Sequence, residues 1–78
     1  LDSLGWINFR QGQLEVAEQL LRQALDSFPD AEVAAHLGEV LWSLGQRERA
    51  QAIWKEGLLL NAENDTLQGT LKRLGVRL

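Results

Sequence analysis

Seventy-eight residues allow one small domain, near the lower limit of what a single core can stabilise. With 45% hydrophobic and 24% charged residues the chain is composed like a folded protein, and a net charge of −3 with scattered Lys and Arg argues against a nucleic-acid surface. The absence of cysteine excludes disulfides and thiolate metal sites, and no apolar run is long enough for direct insertion into a membrane.

The predicted elements are all helical. A first helix spans about Asp2 to Gln11, with Leu1, Leu4, Gly5 and Ile7 on its apolar stripe. Gly12 is expected to stop it in a left-handed C-cap, so that a tight turn leads to a second helix from about Gln13. In that helix Leu14, Ala17, Leu20, Leu21, Ala24, Leu25 and Phe28 form a core-facing stripe, opposite Glu15, Glu18, Gln19, Arg22, Gln23 and Asp26. Pro29 ends it and Asp30 offers an N-cap to a third helix, about Ala31 to Leu44, which buries Val33, Ala34, Leu37, Val40, Leu41 and Leu44. Gly45 terminates that helix, and a fourth, about Arg47 to Leu60, buries Ala50, Ile53, Trp54, Leu58 and Gly57. A fifth begins at Asn64 or Asp65, where Asp65-Thr66-Leu67-Gln68 has the pattern of a capping box, and buries Leu67, Leu71 and Leu74.

These helices repeat. Leu4, Gly5, Ile7, Phe9, Gly12, Gln13, Glu15, Ala17, Leu20, Leu21, Ala24 and Leu25 recur 33 residues on as Leu37, Gly38, Val40, Trp42, Gly45, Gln46, Glu48, Ala50, Ile53, Trp54, Gly57 and Leu58. A period of this size marks stacked helical hairpins. The boundaries follow as repeat one, about 1–30, repeat two, about 31–63, and a terminal helix, about 64–75. A glycine inside a helix costs roughly 0.5–1 kcal/mol relative to alanine, so Gly5 and Gly38 at matched positions need a packing reason. The expected reason is close approach of Gly5 to Ala17 and of Gly38 to Ala50, with Ala24 and Gly57 leaving room for the next repeat. The chain has no methionine and starts inside the pattern, as a piece of a longer protein would. Since about three repeats are normally needed for stability, such a piece is expected to form a homodimer over Leu1, Leu4 and Ile7.

Leu37-Gly38, Trp42, Gly45, Ala50, Trp54 and Gly57 resemble the signature of a tetratricopeptide repeat, and Leu4-Gly5, Gly12, Ala17, Leu21, Ala24 and Pro29 resemble a second copy. The resemblance implies an all-α, right-handed α-solenoid of helix-turn-helix repeats, here two motifs and a capping helix. Asn8 departs from the pattern where an aromatic is usual, and Ala62 stands where the family has proline. The wording of Leu1 to Trp6 and of His36 to Trp42 also resembles the C-terminal repeats of bacterial outer-membrane lipoproteins of this family. That resemblance implies a scaffold whose partner is a periplasmic protease, and an envelope location; without it the cytoplasm is equally open.

No catalytic site is expected: His36 is the sole histidine, and Ser3, Ser27 and Ser43 have no other base. No cofactor or metal is implied. The family binds proteins along a concave face lined by first helices. Carried over position by position, that role falls on Trp6, Phe9, Arg10, Glu32, Ala35, Glu39, Trp42, Ser43 and Arg73. Phe9 and Trp42 are equivalent; either they face a ligand or they pack between neighbouring first helices. Trp6 and Trp42 suit an apolar segment and Glu32 and Glu39 a basic peptide, whereas an acidic tail would lack cations to meet it. The alternative to a protein-interaction scaffold is a purely structural segment that caps a longer array.

Overall fold

A computed structural model describes the backbone from Ser3 to Leu78 and side chains from Gly12 onward. The described chain is four helices, α1 (Ser3–Ser27), α2 (Ala31–Ser43), α3 (Arg47–Asn61) and α4 (Asp65–Leu74), with no strand among the described residues. α2 is the hub and packs on all three others. Ala34, Ala35, Leu37 and Leu41 of α2 are fully buried together with Ala50 and Trp54 of α3 and Leu67 of α4. These positions recur at three and four along α2, which is why one short helix serves three neighbours.

The second hairpin follows its sequence closely. Asp30 caps α2, its carboxylate accepting from the Glu32 amide at 2.7 Å. At the other end Gly45 adopts φ 83°, the Gln46 amide donates to the Leu41 carbonyl at 2.9 Å and the Gly45 amide to Trp42 at 3.1 Å. This is the paired bonding of a Schellman turn. The same arrangement ends α4, where Gly75 has φ 68° and Val76 reaches back to Leu71.

Three expectations are corrected. The first helix does not stop at Gly12; α1 runs through it as one 25-residue helix, so four helices stand where five were expected. The two copies share a glycine but not the contacts that clamp the turn. In the second copy the Trp42 and Trp54 rings pack with centroids 5.6 Å apart, and the Arg47 guanidinium lies 4.6 Å from the centre of the Trp42 ring. The matched positions for Trp54 and Arg47 in the first copy are Leu21 and Leu14, and the fully buried Leu41 is matched by the amide Asn8. A closed first hairpin would bury that amide without the aromatic clamp, whereas a helical glycine costs under about 1 kcal/mol. Leu20 and Phe28, assigned to the core stripe, are accordingly 61% and 79% exposed.

Second, the gap at Gly38 is occupied by Trp54 rather than Ala50. A Cβ at Gly38 would lie 2.1 Å from the indole nitrogen of Trp54 and 2.5 Å from two ring carbons. The indole N–H donates to the Ala35 carbonyl at 3.3 Å, so the largest buried side chain is also satisfied. Gly57 behaves as expected, with a Cβ there 2.9 Å from that of Ala34 and 3.1 Å from a Leu67 methyl. Third, Asn64 caps α4, accepting from the Leu67 amide at 2.9 Å, and Gln68 donates to the Ala62 carbonyl instead of closing a box with Asp65.

Candidate functional site

The face of α2 turned away from its buried stripe carries Glu32, His36, Glu39 and Ser43, one residue per turn. α4 lies alongside and bonds to it at two levels. Thr66 donates its hydroxyl to a Glu32 carboxylate oxygen at 2.8 Å, and Arg73 pairs with Glu39 at 2.5 Å. Each bond joins residues 34 apart, so equivalent positions of successive first helices are tied to each other. On its other side α2 meets α1, and an open depression of about 430 Å³ lies between them, lined by Leu14, Leu21, His36, Glu39, Val40 and Ser43. Apolar walls with an acid, an imidazole and a hydroxyl on one rim suit a side chain that is apolar along its stem and cationic or hydrogen-bonding at its tip.

The structure thus brings Glu32, Glu39, Ser43 and Arg73 to one surface. Ala35 is not part of it: the residue is fully buried and gives a partner no area. Trp42 is half-buried, one side of its ring on Trp54 of its own repeat and Arg47 across it, so its first task is to hold the hairpin closed. The side chains of Trp6, Phe9 and Arg10 lie outside the described residues. His36, Val40 and Thr66, with the α1 wall of Leu14 and Leu21, join this surface without being among the expected site residues. Helical spacing from Glu32 and Glu39 points to the first two, and the repeat offset applied to Glu32 points to Thr66.

The Glu39–Arg73 pair is open to solvent, with side chains 34% and 58% exposed. Exposed pairs of this kind are worth at most about 1 kcal/mol. An incoming cation can therefore take over Glu39 at little cost. Among the described residues there is no group of three or more His, Cys, Asp or Glu placed to hold a metal. No described helix is long and apolar enough to cross a membrane.

A helical hairpin, α2–α3, on which α4 stacks so that its residues meet the equivalent positions of α2, has the arrangement of an α-helical repeat solenoid. The chain belongs to the tetratricopeptide repeat family, whose model matches residues 8–74. It is also 60% identical over 74 residues to a TPR repeat-containing protein of Pseudomonas aeruginosa; the match takes in 95% of this chain and 12% of that protein. Repeats of this family generally mediate protein–protein interaction and are typically non-catalytic.

Proposed function

We propose that the chain is a non-catalytic interaction module that takes an extended or helical segment of a partner protein along the α2–α4 surface. The partner places a Lys or Arg beside Glu39 and apolar groups over Val40, Leu14 and Leu21. The observation that supports this most is the open depression against Glu39, whose partner among the described residues, Arg73, is held by a weak exposed pair. Its place in a larger bacterial scaffold at the envelope, with a periplasmic protease as partner, belongs to this proposal; its support is the resemblance in wording and the likeness to a bacterial protein many times longer.

Selection of a displayed peptide library on the 78-residue chain tests the reading. Enriched peptides should combine basic and apolar residues, and Glu39→Lys should weaken them on the order of tenfold or more, the loss of one charge-assisted contact. Glu48→Lys, on the exposed first turn of α3, should leave them unchanged. Enrichment of acidic peptides, or equal binding by the Glu39→Lys chain, would reject it.

A further inference from the structure

Glu39 is the only carboxylate that lines the depression between α1 and α2, and it is already engaged. Arg73 reaches it from α4, which supplies neither wall of the depression. The residue before it, Lys72, is exposed as well and makes no ion pair among the described residues. Glu39 therefore serves two surfaces. Its carboxylate stands on the rim of a depression suited to a cationic tip, while its charge is met by a guanidinium of the same chain.

That double use decides what a partner's cation gains. Glu39 with Arg73 is electrically neutral, so an incoming Lys or Arg exchanges one exposed ion pair for another and gains little from charge. What remains favourable is apolar, as the stem of the incoming side chain covers Leu14, Leu21 and Val40. Without Arg73, the same cation would meet a free carboxylate and keep the whole of the new pair.

On the reading of this surface given above, we infer that Arg73 is an internal competitor for Glu39, a placeholder that the partner's cation must displace. Arg73 lowers the affinity for basic segments in general and leaves the apolar contact to decide which of them are held. This is a different part from the direct partner contact that the family resemblance implies for Arg73.

Fluorescence anisotropy titrations of the 78-residue chain with one capped, basic and apolar peptide from the displayed library test this. Arg73→Gln should tighten binding about threefold to fivefold, the worth of an exposed ion pair. Lys72→Gln removes the same charge one residue away and should tighten it by less than about twofold. The Arg73→Gln chain should also lose affinity with added salt more steeply than the parent, because its site carries a net charge. In a Glu39→Gln background, where Arg73 has no carboxylate to hold, Arg73→Gln should bring no gain. A misfolded variant would lose affinity, so a gain cannot come from damage to the fold. Unchanged or weaker binding by Arg73→Gln, an equal gain from Lys72→Gln, or a gain that survives Glu39→Gln would overturn the inference while leaving the peptide bound through Glu39. If the library yields no basic and apolar peptide, the reading of the surface falls, and the competitor role with it.

Discussion

Glycine at positions 12 and 45 shows how little of a residue's conformation is decided by the residue itself. Both are followed by glutamine and both follow an amphipathic stretch, yet Gly45 takes a left-handed conformation and Gly12 lies within a helix. The difference lies in the neighbours: Trp42, Trp54 and Arg47 hold the Gly45 turn, and Phe9, Leu21 and Leu14 stand at the matched positions. Opposite responses to one substitution follow. Gly12→Ala should stabilise the chain by about 0.5–1 kcal/mol, because a helical glycine is replaced by the best helix former and the new methyl meets nothing. Gly45→Ala should destabilise it by about 1 kcal/mol or more, since φ 83° is strained for any residue with a Cβ. Urea melts of the two variants beside the parent decide both; a loss of stability for Gly12→Ala would mean that α1 breaks there.

At the scale of elements, the boundaries of α2, α3 and α4 were legible because their ends carry chemical signals: Asp30, Gly45, Asn61 and the Asn64-Asp65 pair. Period alone would not have placed them. The choice between Asn64 and Asp65 was not legible, since either can cap and the backbone decides which stands one residue before the first helical turn. The structure gives that place to Asn64. Asn64→Ala should therefore cost about 1 kcal/mol in thermal or urea unfolding, and Asp65→Ala markedly less, as it removes only a favourable charge near the helix start. Equal losses would restore the capping-box reading. The site was partly legible for a related reason. The repeat offset finds Glu39 and Arg73 as surface neighbours, but it cannot show that Ala35 is closed off beneath Trp54, nor that α1 forms one wall of the depression.

For the whole molecule, the architecture reduces to one hub. α2 has a neighbour on each of three sides, and against α3 the indole of Trp54 lies where a side chain at Gly38 would be. Nesting brings α2 and α3 close enough for Gly57 to admit Ala34 and Leu67, and so for α4 to lie along α2 and bond with it at Glu32 and Glu39. The surface shared by α2 and α4, on which the proposed function rests, is a consequence of that spacing. The chain spans about 12% of the length of the 60% identical relative.

Unfolding free energies of Gly38→Ala and Gly69→Ala, measured side by side, test the nesting of Trp54 against Gly38 most directly. Both glycines sit in helices, but a methyl at Gly69 meets nothing within 4 Å and one at Gly38 would strike the indole ring. Gly69→Ala should be stabilising by about 0.5–1 kcal/mol, and Gly38→Ala destabilising by roughly 1–3 kcal/mol through overpacking. A Gly38→Ala chain as stable as Gly69→Ala would contradict the account.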